Sequence, residues 1–419
     1  MRLTLIGINH ESAPLTIREK VSISADKLGD SLTFLRSYVP QGVILSTCNR
    51  TEVYLTGGDG HGDEKAGLAF LDARLDIPHR DFIKYIYVLK NREAAEHLFR
   101  VACGLESLII GEFEILGQVR QALEEAEKAG MAGLPLRHAF YSAVRVGRRV
   151  REETGISKNA LSVSSVAVDL VTAVVGDITR CKMLVIGAGE AGRLVAEVAR
   201  KRGIYRMVIA NRTKERALAL AVALHGTPAD LSNLPDELQS ADIVVTCAGA
   251  PHPILDASRV EEAMQKRAGL PLVIVDIALP RNVEPAVKQI QNVFLYNIDE
   301  LTGISDLNRR QREGEIRHAE KIIADEVDKF ADWWQDFEVR PIVGALMSRA
   351  EEIRLAQLNK TLKKLPPLSD EQRESLDAMT KSIVTRILKN PVRYLKTNGD
   401  SDYAAMVKEL FQLNTEKRP

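Results

Sequence analysis

Lys182-Met-Leu-Val-Ile186 runs straight into Gly187-Ala188-Gly189-Glu190-Ala191-Gly192, and the reading of this stretch decides the fold. A short apolar run, a glycine triplet and a helical pattern to Lys201 predict a buried strand, a tight turn and a helix. The first glycine makes the turn, the second lets the backbone approach a pyrophosphate, and the third permits close helix–strand packing. The helix N-terminus adds amide donors for an anion. Apolar runs at 207–210, 243–246 and 272–275, with a helical pattern at 214–224, extend the alternation. Continuous apolar strands belong to a parallel sheet covered on both faces, so this part is a Rossmann-type α/β domain. The second strand ends Ala210-Asn211-Arg212-Thr213. It offers no carboxylate to hold a ribose hydroxyl, whereas Arg212, with Lys214 and Arg216 nearby, suits a 2′-phosphate. NADP is therefore expected over NAD. Gly187, Ala188, Gly189, Glu190, Ala191, Gly192, Asn211, Arg212 and Thr213 form the candidate cofactor site.

Upstream, the pattern predicts strands at 3–8, 43–47, 52–55 and 85–89, and helices after Ser24, at 63–75 and at 92–102. The order βαββαβ is that of a ferredoxin-like split βαβ unit. Residues 107–153 read as helical, broken at 130–135. Between the second and third strands stands Ser46-Thr47-Cys48-Asn49-Arg50-Thr51-Glu52. A nearby cation lowers a thiol pKa and makes the thiolate a nucleophile. Arg50 is the cation nearest in sequence, and Thr47 and Asn49 can donate hydrogen bonds. A buried structural cysteine is the other reading of Cys48. Cys103, Cys181 and Cys247 read as packing residues, and the four cysteines lack metal-ligand spacing. His97 lies mid-helix, where a structural histidine is usual, and Ser107 and Glu112 can be plain helix-start residues. Arg145, Arg148, Arg149 and Arg151 read either as a track for RNA phosphates or as a solvated helix face.

Downstream, Ile316, Ile323, Val327, Phe330, Trp334 and Phe337 recur at spacings of three, four and seven on a long helix expected to stop at Pro341. Helices at 342–365, 369–389 and 404–413 follow, with Ser369-Asp-Glu-Gln372 as a capping box. The stripe is buried either within the chain or, the favoured reading, in a homodimer. The chain has 419 residues, enough for two or three domains, and 57 basic against 57 acidic residues, so no global field favours nucleic acid or membrane. No apolar run spans a bilayer, and the apolar N-terminal stretch is too short for a signal peptide. A reducing cytoplasm is expected.

Several motifs together resemble the glutamyl-tRNA reductase family: Asn9-His10, Ala13-Pro14, Arg18-Glu19-Lys20, Ser46 to Tyr54, Gly104 to Glu112, Ile115-Leu-Gly-Gln-Val119, Gly187-Ala-Gly-Glu190 and Asn211-Arg-Thr213. The glycine loop alone would also fit shikimate dehydrogenases. The resemblance implies a catalytic domain over 1–156, an NADP-binding domain over 157–295, and a spinal helix with an all-α dimerisation domain over 296–419. It implies NADPH-dependent reduction of glutamyl-tRNA to glutamate-1-semialdehyde through a thioester on Cys48. Thr47, Asn49, Arg50, Ser107, Glu112, Phe113, Glu114 and Gln118 match the family's substrate pocket. Arg50 is suited to grip a substrate carboxylate, and His97 matches an activity-critical histidine. A V-shaped homodimer, and glutamate-1-semialdehyde aminomutase as a partner for aldehyde transfer, are also implied. With the two sites on separate domains, movement about 156–175 is expected. Cys103 stands where a smaller residue is usual. The rival readings are another NADP oxidoreductase of the shikimate dehydrogenase type and a non-catalytic NADP-binding dimer.

Overall fold

The computed structural model describes residues 2–57, 61–75, 77–157, 163–267, 269–301, 312–398 and 401–413. It gathers them into two compact units, Arg2–Val327 and Asp328–Pro419. The first unit opens with β1 (Thr4–Asn9), α1 (Leu15–Val21), α2 (Ala25–Leu35), β2 (Gly42–Ser46) and β3 (Arg50–Leu55). Then come α3 (His61–Arg74), α4 (His79–Phe82), β4 (Tyr87–Lys90) and α5 (Arg92–Ala102). The strands form an antiparallel sheet in the order β2-β3-β1-β4, as the split βαβ reading requires. Helix α1 was not expected, because its seven residues bury only Leu15, Arg18 and Val21, too few for a periodic signal. The register sets Gly7 of β1 opposite both Glu52 and Tyr87. A Cβ at Gly7 would come within 2.7 Å of the Tyr87 ring, so this glycine clears the way for Tyr87 to cross β1 toward Glu52.

The helices α6 (Glu114–Lys128) and α7 (Leu134–Glu153) follow. Residues 107–113, expected to be helical, lie in a non-helical stretch of turns and bends that starts at 103. Gly104 and Gly111 hold φ of +76° and +81°, a left-handed conformation that ends a helix. The Gly111 amide donates to the Gly104 carbonyl at 3.0 Å and closes the loop.

The nucleotide-binding part comprises α8 (Val163–Val175), β5 (Lys182–Ile186), α9 (Glu190–Lys201), β6 (Arg206–Ala210), α10 (Lys214–Ala223) and β7 (Thr227–Ala229). It continues with α11 (Leu234–Ser240), β8 (Ile243–Thr246), α12 (Ala257–Gln265), β9 (Leu272–Asp276) and β10 (Val293–Asn297). All strands are parallel in the order β7-β6-β5-β8-β9-β10, the doubly wound dinucleotide-binding arrangement. The edge strands β7 and β10 were not anticipated; the first has three residues, and both are largely uncovered. Of the expected hinge segment, 158–162 lie outside the described residues and 163–175 form α8.

The helices α13 (Glu313–Leu362), α14 (Asp370–Asn398) and α15 (Ser401–Leu410) complete the chain. Contrary to expectation, α13 passes through Pro341, and α14 through Pro391. An interior proline costs about 3 kcal/mol. Val339, Ile342 and Leu346, buried around Pro341, each contribute about 1.5–3 kcal/mol, so packing outweighs the lost backbone bond. The expected capping box is present: the Ser369 amide donates to Gln372 Oε1 at 3.0 Å and the Gln372 amide to Ser369 Oγ at 3.2 Å. Ile323, Val327, Phe330 and Trp334 of the stripe are buried within the chain, while Ile316 and Phe337 are half-buried. Among the described residues no helix is long and apolar enough to cross a membrane.

One buried carboxylate closes the loop after β9. Asp276 accepts from Thr246 Oγ1 at 2.7 Å and from the amides of Ala278, Asn282 and Val283 at 3.1, 2.9 and 2.9 Å. Asp276→Asn turns an amide donor toward backbone donors. It should destabilise the protein by about 1–3 kcal/mol, read as a lowered urea midpoint at unchanged slope.

Candidate active site

The turn between β2 and β3 carries Thr47, Cys48 and Asn49. The Thr47 amide donates to the Arg50 carbonyl at 2.8 Å. The Thr47 hydroxyl accepts from the amides of Asn49 and Arg50, each at 3.2 Å. Ser46 Oγ accepts from the Ile23 amide at 2.9 Å and anchors the base of the turn. Cys48 is half-buried in this frame.

Cys48 lines a cavity of about 50 Å³ together with Thr47, Asn49, Arg50, Ser107, Glu112, Glu114 and Gln118. Seven of the eight expected pocket residues thus meet around the thiol. Phe113, the eighth, is exposed and is not among the lining residues; neither is His97. Ile115, Val163, Ser164 and Ile277 also line the cavity, and sequence reasoning missed them. They are ordinary apolar or small residues, and three of them come from the nucleotide-binding part. Ala191 of the glycine loop completes the wall, so the thiol and the dinucleotide loop share one cavity. Glu114 Oε1 is buried with no hydrogen-bond partner in the protein, as in a site shaped for a polar ligand.

Burial pushes the Cys48 thiol up to about 12; Glu112 and Glu114 add to the rise and Arg18 opposes it. The cation acting on the thiol is therefore Arg18 rather than the expected Arg50. Arg50 is already neutralised: its Nη1 donates to Glu52 Oε1 at 2.7 Å and its Nη2 to the Glu106 carbonyl. Its Nη1 and Nη2 are each engaged inside the protein, so a grip on a substrate carboxylate would fall to its remaining N–H donors. Burial, with Glu114 adding to it, pushes the Glu112 carboxyl up to about 7.

Glu52 is fully buried and gathers four donors. Its Oε1 accepts from Arg50, from Tyr87 Oη at 2.7 Å and from His97 Nε2 at 2.9 Å, and its Oε2 accepts from Tyr54 Oη at 2.6 Å. Burial alone would raise the Glu52 pKa, but Arg50 and His97 hold it well below the usual carboxylate range. His97 is thus placed on Glu52, one residue removed from the cavity wall that Arg50 forms.

Arg145, Arg148 and Arg149 of the basic strip line one surface pocket together with Arg120, and Arg151 does not. Arg145 and Arg149 pair with Glu326, and Arg149 also pairs with Glu153. Arg151 turns inward and donates to the carbonyls of Ala102, Gly147 and Glu112. Arg148 remains exposed.

The glycine loop fits a dinucleotide. Gly187 has φ +120°, and a Cβ there would lie 2.9 Å from the Ala248 nitrogen. A Cβ at Gly192 would lie 2.0 Å from the Gly187 carbonyl oxygen, so that glycine lets α9 close on the turn. At Gly189 a Cβ would meet nothing within 4 Å, which leaves the backbone open to a ligand. The first turn of α9 has no side-chain cap on its amides. Asn211 Oδ1 accepts from the Ala188 amide at 3.1 Å, so Asn211 holds the loop. Arg212, Thr213 and Arg216 are exposed, while Lys214 pairs with Asp230 at 2.6 Å and Glu190 with Arg193 at 2.7 Å. Among the described residues no cluster of three or more His, Cys, Asp or Glu could hold a metal ion.

Three family profiles match in succession. They are glutamyl-tRNAGlu reductase, N-terminal domain, over residues 6–154; shikimate / quinate 5-dehydrogenase over 169–304; and glutamyl-tRNAGlu reductase, dimerisation domain, over 318–413. The glutamyl-tRNA reductase of Natranaerobius thermophilus is 38% identical over 100% of this chain and 93% of its own length. This chain belongs to the glutamyl-tRNA reductase family. The glutamyl-tRNA reductase of a Roseiflexus species is 37% identical, covering 99% of this chain and 97% of its own. The solved glutamyl-tRNA reductase from Methanopyrus kandleri is 33% identical, with 98% of each chain covered and a TM-score of 0.56. The shikimate dehydrogenase likeness is thus confined to the nucleotide-binding part of a glutamyl-tRNA reductase chain.

Removing one partner of a buried ion pair leaves the other charge uncompensated. Glu52→Gln should therefore cost about 3–5 kcal/mol of stability, whereas Tyr87→Phe, which loses one hydrogen bond to a charged group, should cost about 1.5–3 kcal/mol. Urea titration of the two variants reads the difference.

Proposed function

We propose that this glutamyl-tRNA reductase reduces the aminoacyl ester of glutamyl-tRNA to glutamate-1-semialdehyde with NADPH, through a thioester on Cys48. The observation that carries the reading is the shared cavity: the thiol of one domain and Ala191 of the dinucleotide loop of the other line the same space. Around it stand groups suited to each part of a glutamyl ester. Glu112 and Glu114 suit its ammonium, Arg50 its side-chain carboxylate, and Cys48 its carbonyl carbon.

Glu112 accepts the Cys48 proton, since its carboxyl binds protons near neutrality. With Glu112 protonated, the substrate ammonium, held at Glu114, offsets the one remaining charge that opposes the thiolate. The thiolate attacks the ester carbon, the C–O bond to the tRNA ribose breaks, and the leaving oxygen takes the proton back from Glu112. Gly187, Gly189, Gly192 and Arg212 would hold NADPH, which when bound supplies the hydride that reduces the thioester. The C–S bond then breaks and Cys48 leaves as thiolate. His97 serves by holding Glu52 and through it Arg50, without touching the reacting atoms.

The same reading divides the chain into a catalytic domain over 1–156, an NADP-binding domain over 157–295 and a helical dimerisation part over 296–419. The exposed Met379, Ile383 and Ile387, at four-residue spacing on α14, suit a homodimer contact in a reducing cytoplasm. An aminomutase would consume the aldehyde.

Glutamyl-tRNA is to be incubated with the protein and NADPH or NADH, following the aldehyde, with Cys48→Ser in parallel. Aldehyde with NADPH and none from the variant is expected. An active Cys48→Ser would point to ketone reduction of the shikimate dehydrogenase type, and cofactor binding without turnover to a non-catalytic dimer. A base must be ionised to act. The rate of tRNA release without NADPH should therefore rise with pH through about 7, and Glu112→Gln should remove that inflection.

A further inference from the structure

Two adjacent residues of α1, Arg18 and Glu19, each reach from the catalytic part to the nucleotide-binding part. Arg18 is among the largest fully buried side chains. Its Nη1 donates to the Cys48 carbonyl at 3.0 Å and approaches Asn49 Oδ1 at 3.5 Å. Its Nε donates to the Ala13 carbonyl at 3.3 Å. Its Nη2 pairs with Asp299, in the short helical turn Ile298–Leu301 after β10. Glu19 holds Arg281 at three points. Its Oε1 accepts from the Arg281 amide and Nε, both at 2.7 Å, and its Oε2 from Nη2 at 2.8 Å. Arg281 belongs to the loop after β9 that Asp276 pins through Asn282 and Val283, and this loop carries Ile277 of the cavity wall.

We propose that Arg18 and Glu19 form a clasp that sets the Cys48 turn in register with the nucleotide-binding part, and that the clasp is needed for reduction of the thioester rather than for its formation. The inference rests on the thioester reading above. Apolar contact across the cavity is non-directional and leaves the two walls free to slide, whereas these ion pairs have fixed geometry. Thioester formation uses Cys48, Glu112 and Glu114, all on the catalytic part. Reduction needs a donor on the other part within about 3–3.5 Å of the acyl carbon, and a displacement of about 1 Å costs about 100-fold. Arg18 and Glu19 are positioning residues, since neither lines the cavity. A buried guanidinium without a carboxylate is strongly disfavoured, and the carboxylate here comes from the nucleotide-binding part.

The test separates the two half-reactions in Asp299→Asn, Glu19→Gln and the exchanged pair Glu19→Arg with Arg281→Glu. Release of tRNA without NADPH reads thioester formation followed by hydrolysis; aldehyde formed per tRNA released, with NADPH, reads reduction. The clasp predicts that Asp299→Asn and Glu19→Gln release tRNA near the wild-type rate, while aldehyde per tRNA falls by about 100-fold. It also predicts that the exchanged pair regains part of the loss. Unchanged aldehyde per tRNA in both single variants would overturn it, and so would a parallel fall of both half-reactions with the unfolding temperature. Wild-type protein that releases tRNA yet forms no aldehyde would instead overturn the thioester-reduction reading, and the clasp's role with it.

Discussion

A carboxylate with no access to water constrains this molecule more than any other group. Burying Glu52 unpaired would cost several kcal/mol, so donors must be brought to it. Four arrive, and each comes from a different piece of the fold or fixes one. Arg50 begins β3 and closes the Cys48 turn. Tyr54 lies two residues along the same strand. Tyr87 comes from β4 across the gap left by Gly7, and His97 comes from α5. Arg50 then passes its second nitrogen to the Glu106 carbonyl, one residue before Ser107 of the cavity. A single desolvated charge thus ties the nucleophile's turn, the sheet, a helix and the 103–113 loop into one body.

The electrostatics of the cavity follow from the same economy of charge. Arg50 is spent on Glu52, so the thiol is left with Glu112 and Glu114 on one side and Arg18 on the other. Burial and two carboxylates outweigh one cation, and the thiol rests protonated. A neutral thiol is a poorer target for alkylation and oxidation than a thiolate. The groups that keep it neutral are also those that an incoming ammonium would pair with, so ligand binding and nucleophile activation draw on the same carboxylates.

Much of this was legible in the residues, and the rest was hidden for identifiable reasons. The glycine triplet after an apolar strand fixed the doubly wound domain, because each glycine answers to a separate steric demand that the structure displays. Seven pocket residues came from motifs, and they converge. Strands β7 and β10 escaped because edge strands have no doubly buried run to betray them. The segment 107–113 was misread as helix because its apolar residues are dense, while the left-handed Gly111 that breaks it looks like a tolerated helix glycine in a string. Pro341 was misread in the opposite sense, since a local rule gave way to tertiary burial. The activating cation was misassigned because proximity in sequence, Cys48 to Arg50, counts for less than Glu52 opposite and Arg18 thirty positions away.

Arg18 and Arg50 are both buried cations beside the same turn, and they differ in where their counter-charge lies. Arg50 finds Glu52 two residues away on its own strand, so its pairing survives any movement between the two parts of the unit. It belongs to the architecture of the catalytic part. Arg18 finds Asp299 nearly three hundred positions along the chain, beyond the whole parallel sheet. Separating the parts would return Asp299 to water at little cost, because it is partly exposed, but would strand Arg18. The penalty for opening therefore falls on the Cys48 side. A two-domain enzyme that joins a covalent intermediate on one part to a hydride donor on the other gains from this asymmetry. On the proposed thioester reading, the part that would bear the reactive bond is the one destabilised by separation.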